Sequence, residues 1–131
     1  MIYARLYPFS AEQPAVISIA LANSSQVLYH AVVGSGTRPD HADWVVRKRN
    51  TVLRWNKSTW YWHCKWKGDE DYFRSLFSMS VEQSSQYSIH GGGVPIRVHG
   101  VEGVVAVVCV SGLIQEEDHG VIADVIREHW H

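Results

Sequence analysis

The 131-residue chain has room for one domain with a core of its own and too little for two. Twelve Lys and Arg against thirteen Asp and Glu leave a formal net charge of −1, which excludes a whole-molecule electrostatic signature for nucleic acid. Pro8 and Glu12 interrupt the apolar segment that a signal peptide needs, and no apolar run approaches the roughly 20 residues that cross a bilayer. The two cysteines, Cys64 and Cys109, make no disulfide framework, so the chain reads as a soluble, cytoplasmic protein without a membrane partner.

Met1 to Pro14 has no clear period and reads as an irregular arm, ahead of a single domain over residues 15–131. Ala15 to Ala22, carrying Val16, Ile17, Ile19 and Leu21, and Gln26 to Val33 are β-rich stretches on either side of an Asn23-Ser24-Ser25 turn cluster, and together they predict a hairpin. Gly34-Ser35-Gly36 invites a phosphate-loop reading, but the third glycine of a dinucleotide fingerprint is missing and no P-loop lysine follows.

Asp40 is expected to cap a helix from His41 to about Trp55, its carboxylate accepting from the open N–H groups of the first turn. Ala42, Val45, Val46, Val52 and Leu53 fall on one side at helical spacing; Arg47, Asn50 and Arg54 fall on another, flanked by Lys48 and Arg49. A basic face of this kind is ordinarily solvated. The functional alternative is that Arg47 or Lys48 meets an acidic group of a ligand or a neighbouring subunit, since arginine holds a carboxylate at two points.

Asn56-Lys57-Ser58 ends that helix, and Thr59 to Trp66, with Trp60, Trp62 and Trp66 around His63 and Cys64, fits a strand or a short helix equally well. Gly68 to Phe77 reads as a short helix with Tyr72, Phe73, Leu76 and Phe77 on its apolar side, and Ser80 to Ser85 as a polar helical turn. Val104 to Val110 is an unbroken apolar, β-branched run bounded by glycines. It predicts a central strand covered on both faces, because side chains alternate across a sheet and a half-exposed strand would alternate in polarity. Ser111-Gly112 turns the chain into a helix whose first turn carries Glu116, Glu117 and Asp118, where the positive end of the helix dipole favours acids.

His90-Gly91-Gly92-Gly93 precedes Pro95, placed at the start or edge of a strand where no ladder donor is lost. The cluster looks like an esterase oxyanion loop, yet Ser111 lacks the nucleophile elbow, with cysteine where the first glycine belongs. Its simpler role is to let backbone approach closely at the mouth of a pocket. Glu116 and His119, three apart on a helix, are half of a metal site, so no dedicated metal is assigned.

These blocks, His90 to Ile96, Val110-Ser111-Gly112 and Gln115 to His119, together with Asp43-Trp44-Val45-Val46-Arg47-Lys48-Arg49-Asn50-Thr51-Val52 and Lys57-Ser58, resemble the GlcG/HbpS-like family, often labelled haem-degrading, and its UPF0303 branch. The resemblance implies a profilin-like α+β fold, an antiparallel sheet flanked by helices, and a large homo-oligomer. It also implies a longer N-terminal helical segment than Met1 to Pro14 supplies. Haem binding follows from the family label, with His90 or His119 as candidate axial ligand and a basic residue for the propionates. The alternative is a non-enzymatic protein-interaction scaffold of the same fold, and no residue is assigned a catalytic role.

His90, Gly91, Gly92, Gly93, Arg47, Lys48, Ser111, Glu116 and His119 are therefore expected to line one concave surface for haem or another small anionic ligand. Assembly is expected too. A strand apolar on both faces, in a chain short of one helix, asks for cover from another copy, and tryptophan at Trp60, Trp62 and Trp66 is the residue type that interfaces favour.

Overall fold

Valine and isoleucine at alternate places of two adjacent stretches give a hairpin its registering side chains, and the expected hairpin forms. Strand β1 (Ala15–Leu21) pairs antiparallel with β2 (Val27–Val33), from Ala15 opposite Val33 to Ala20 opposite Val27, with a bulge between Ile19 and Ala20. The structure, a computed structural model, describes residues 14–112 and 115–129. The arm expected at the N-terminus lies outside these residues, apart from Pro14.

The chain then runs through helices α1 (Pro39–Trp55), α2 (Thr59–Trp66), α3 (Glu70–Leu76) and α4 (Val81–Ser84) before returning to the sheet as β3 (Gly93–Ile96) and β4 (Ala106–Ser111), and it continues as α5 (Gln115–His129). All pairings are antiparallel and the strand order is β2-β1-β4-β3. The valine run is the interior strand it was expected to be, beginning two residues later, at Ala106. Pro95 sits in β3 at the sheet edge opposite Val107, where its missing N–H leaves no ladder bond unmade.

Alternation along β4 divides the core. Val108 and Val110 join Ile17 from β1 and pack against Val121, Ile122 and Val125 of α5. Val107 and Cys109 join Val16 on the opposite face and pack against Val45 and Val52 of α1. The two helices thus cover both faces within one chain: Val107 to Val110 are each 0 or 1 % exposed. The expectation that intramolecular cover falls short is corrected by this packing.

Three further expectations are corrected. Asp40 is not the cap of α1. Arg38 occupies that place in extended backbone, Pro39 is the first helical residue, where a missing N–H costs nothing, and the Arg38 N–H donates to Nδ1 of His41 at 3.3 Å. The apolar side of α1 is also turned: Val46 is 55 % exposed and Ala42 is exposed, while Val45, Lys48, Thr51 and Val52 are buried. The basic side is not a solvated face, since Arg47 Nε donates to the Tyr87 carbonyl at 3.0 Å, Asn50 Nδ2 to that of Gln86 at 3.0 Å, and Arg54 Nη1 to the Tyr87 hydroxyl at 3.1 Å.

Thr59 to Trp66 resolves as helix because Ser58 caps it, accepting from the Tyr61 N–H at 3.1 Å, while Asn56 ends α1 in the left-handed region. Of the four residues expected on the apolar side of α3 only Phe73 is buried; with Met79 and Ile89 it forms a satellite core against which Trp55, Trp62, Trp66, Phe77 and Tyr87 pack. Tyr72 and Leu76 are about half exposed, since a seven-residue helix presents one narrow stripe to that cluster.

Val107→Asp should abolish soluble folding, because an unpaired carboxylate in a strand covered on both faces costs several kcal/mol, a large share of the ~5–15 kcal/mol that hold a domain together. Val46→Asp should shift stability by no more than about 0.5 kcal/mol, as exposed substitutions do. Thermal melts of the two purified variants check the pair, and a cooperative melt from Val107→Asp would displace β4 from the centre of the fold.

Candidate functional site

Residues 45, 48 and 52 follow each other by three and four along α1, so the stripe that puts Val45 and Val52 against the sheet puts Lys48 there as well. Its side chain passes between the end of β4 and the first turn of α5. Lys48 Nζ donates to the Val110 carbonyl oxygen at 2.9 Å and to Asp118 Oδ2 at 3.1 Å, in a pair whose side chains are 4 % and 2 % exposed. Two charges removed from water this fully are tolerated only when the geometry is good and the remaining polar groups are bonded.

The loop between α4 and β3 is shaped to this ammonium. Gly92 has φ 126°, and a Cβ there would collide with the Val110 carbonyl oxygen and stand 2.6 Å from Lys48 Nζ. Hydrogen bonds pin the same loop: Ser88 N–H to Thr51 Oγ1 at 2.9 Å, His90 N–H to Ser88 Oγ at 3.0 Å, Val110 N–H to the Gly92 carbonyl at 2.8 Å, and Gly93 N–H to Thr59 Oγ1 at 3.0 Å. The acceptors Thr51 and Thr59 are fully buried.

Above the ion pair lies a cleft of about 250 Å³ lined by His41, Trp44, Lys48, His90, Ser111, Gly112 and Asp118. Trp44 and His90 form its partition, edge to face with ring centroids 5.1 Å apart. On the far side of the partition a second cleft of about 310 Å³ includes Arg47, Glu70, Asp71, Arg74 and Val81, and there His90 Nε2 lies 3.6 Å from Glu70 Oε1.

Of the residues expected to share one surface, Lys48, His90 and Ser111 meet in the first cleft. Gly91, Gly92 and Gly93 are buried behind it, and Arg47 lines the second cleft beside His90. Glu116 is exposed and lines neither cleft. His119 lies apart, stacked on Trp60 at 5.8 Å, and Trp60 in turn stacks on His63 at 4.9 Å. Sequence reasoning missed His41, Trp44, Gly112 and Asp118. The available signal was the position of Lys48 itself: a lysine three residues after a core valine has to find a carboxylate.

Two side chains with chemistry to offer are held in neutral form. Burial pushes the Cys109 thiol up to about 12, against the opposing pull of Lys48 and Arg49, so it is no thiolate nucleophile. Burial holds His119 below the ordinary histidine value of 6.5. Its Nδ1 and that of His63 are buried without a hydrogen-bond partner among the described residues. No group of three or more metal-ligating side chains occurs among the described residues.

The fold and cleft define a profilin-like α+β domain, a four-stranded antiparallel sheet between helices with a small polar cleft where β4 meets α5. A model of the family described as haem degrading protein HbpS-like matches residues 6–127, and the chain belongs to that family. Within it the relatives are UPF0303 proteins: that of Streptomyces avermitilis is 32% identical over 114 residues, 87% of this chain and 67% of the relative. The UPF0303 protein YBR137W of Saccharomyces cerevisiae is 37% identical over 108 residues, and the matched region spans 82% of this chain and 57% of the yeast protein. The crystal structure of Ybr137w superposes with a TM-score of 0.86 at 29% identity, covering 98% of this chain and 72% of that one. A double mutant of Streptomyces reticuli HbpS shares the fold at a TM-score of 0.62 and 19% identity, covering 100% of this chain and 87% of that one.

The buried histidine gives a pH dependence with a definite sign. Because the His119 value is lowered in the folded state, the unfolded chain binds the proton more readily, so its contribution to stability is intact above 6.5, falls as the pH drops below 6.5, and levels off below the depressed value. His119→Phe, which keeps the stacking surface, should flatten that segment of a plot of Tm against pH. An unchanged slope in the variant would assign the acid sensitivity to other groups.

Proposed function

We propose that this chain is a homo-oligomeric protein that binds a small anionic ligand in the cleft above Lys48, with Lys48, His90, His41 and Ser111 as its polar contacts. One observation carries the proposal. An ammonium has three donors, and Lys48 spends two on Val110 and Asp118, which leaves the third N–H for a group in the cleft that Lys48 lines. The Asp118 carboxylate balances the lysine charge, so the imidazoles of His41 and His90 and the Ser111 hydroxyl set the selectivity for a ligand oxygen.

Haem enters through the family's description, and the residues within one chain do not fit it. The first cleft, about 250 Å³, falls below the roughly 300–1,000 Å³ of pockets for drug-sized ligands, and its lining mixes charge with hydroxyl and imidazole rather than forming an apolar slot. Lys48 lines the first cleft and Arg47 the second, so the two expected propionate partners do not share one cleft. The Nε2 of His90 faces Glu70, and His119 lies on Trp60 outside the cleft.

The interaction scaffold is supported by a different feature. The edge strand β2 exposes Val27, Leu28 and Val32 at 57, 56 and 53 %, an apolar edge of the kind that association between copies would cover. Two free cysteines, Cys64 exposed and Cys109 buried, suit a reducing, cytoplasmic compartment, and no helix among the described residues is long and apolar enough to cross a membrane.

Lys48→Met should cost about 3–5 kcal/mol by removing the ammonium partner of the buried Asp118, whereas Lys48→Met with Asp118→Leu should regain much of that loss. The double variant is the informative one: phosphate, acetate and malonate, each raising the Tm of the parent in a concentration-dependent way, should leave its Tm unmoved. Equal stabilisation of both proteins by these anions would end the assignment of the cleft. Light scattering after size exclusion at micromolar concentration should give a multiple of the chain mass, and a stable monomer would remove the oligomer.

A further inference from the structure

The second cleft holds an arginine that the fold orders through one donor and one ring. The Arg47 guanidinium carbon lies 4.2 Å from the centroid of the Trp44 ring, and Nε donates to the Tyr87 carbonyl at 3.0 Å. Stacking and one anchored donor fix the plane of the fork, so much of the rotamer entropy that an arginine ordinarily loses on gripping a carboxylate has been lost already. The Nη1/Nη2 edge remains, and no ion pair joins Arg47 to a carboxylate among the described residues. Arg74 borders the same cleft, and among the described residues its guanidinium makes one long bond, 3.5 Å, from Nη1 to the Met79 carbonyl.

The acids of the cleft are divided. Glu70 is engaged, accepting from the Ile89 N–H at 3.5 Å and lying 3.6 Å from His90 Nε2. Asp71 is exposed and forms no ion pair among the described residues. One cleft thus offers a preorganised fork, a second guanidinium, a carboxylate without an ion pair among the described residues, and the apolar surfaces of Trp44 and Val81. Opposite charges lining one cleft call for a ligand that itself carries both, with a short apolar group beside them.

We infer that the second cleft is a binding site for a free α-amino acid: Arg47, with Arg74, takes the carboxylate, Asp71 takes the ammonium, and Trp44 and Val81 receive an aliphatic side chain. The site is distinct from the anion cleft above Lys48 and shares with it only the partition of Trp44 and His90.

L-Valine is the probe, observed by saturation-transfer NMR and titration on the intact protein, with isobutylamine, which lacks its carboxylate, and isovalerate, which lacks its ammonium. L-Valine should bind, each truncated analogue should bind at least about tenfold more weakly, and Arg47→Lys, which keeps the charge and loses the fork, should weaken L-valine by about tenfold or more. Asp71→Asn, at an exposed position, should show the same loss with an unchanged Tm. The His41→Ala, Ser111→Ala double variant, at two residues of the first cleft that do not line the second, should retain L-valine binding, which separates this site from the anion cleft. No saturation transfer at millimolar L-valine, equal affinity for the three ligands, or full binding by Asp71→Asn would each overturn the inference, and loss of L-valine in the His41→Ala, Ser111→Ala variant would overturn its placement.

Discussion

The junction of helix, sheet and loop in this protein depends on a single ammonium. Lys48 is carried by α1, bonds a β4 carbonyl and pairs with a carboxylate of α5, so the helices on opposite faces of the sheet are tied to each other through the end of its interior strand. Hydrophobic contact alone would let α1 and α5 slide, because it is roughly proportional to area and has no direction. A buried ion pair tolerates little displacement, since a carboxylate and an ammonium left apart in the interior each lose a partner that water cannot replace. The register of α1 on the sheet is therefore set at Lys48.

The glycine cluster follows from the same constraint. With Lys48 Nζ at the Val110 carbonyl, the neighbouring backbone has to pass within contact of both, and at Gly92 any Cβ would enter space already filled. The Gly92 carbonyl then accepts from the Val110 N–H, while Nζ takes the Val110 carbonyl, so both polar groups of one strand residue are satisfied at the end of the sheet. What resembled an oxyanion loop in sequence is a packing device, with its donors consumed by protein acceptors: Gly93 N–H by Thr59 and His90 N–H by Ser88.

The hairpin, the interior valine strand and the edge position of Pro95 were legible in the sequence because each rests on a local rule of alternation or hydrogen-bond supply. The two-sided cover of β4 was legible as well, and its source within the chain was not, since the sequence shows that Val107 and Val108 need partners without showing which. The face of α1 was misjudged for a physical reason. Val46 scores as core and Lys48 as surface on any hydrophobic scale, yet the stripe through Val45 and Val52 passes over Lys48 and leaves Val46 outside. Of the candidate site, Lys48 was noticed in the basic cluster of α1, and His90 and Ser111 because histidine and hydroxyl stand out beside glycine turns. Trp44 and Asp118 were passed over because a tryptophan reads as core and an acid in the first turn of a helix already has an explanation.

Trp44 shows why that second group matters for what the surface can do. Its ring borders both clefts, meets His90 edge-on at 5.1 Å and supports Arg47 at 4.2 Å, so one side chain sets the orientation of an imidazole and a guanidinium at once. The rigidity comes from below, since Arg47 is held by Tyr87, and Trp44 lies one turn before Lys48 on the same helix. The buried ion pair thus fixes the helix, the helix fixes the indole, and the indole presents two polar side chains to solvent in set directions. Polar groups on exposed surface usually lose rotamer freedom when they bind; here the fold has removed much of that freedom in advance, which is the property that distinguishes a site from a charged face.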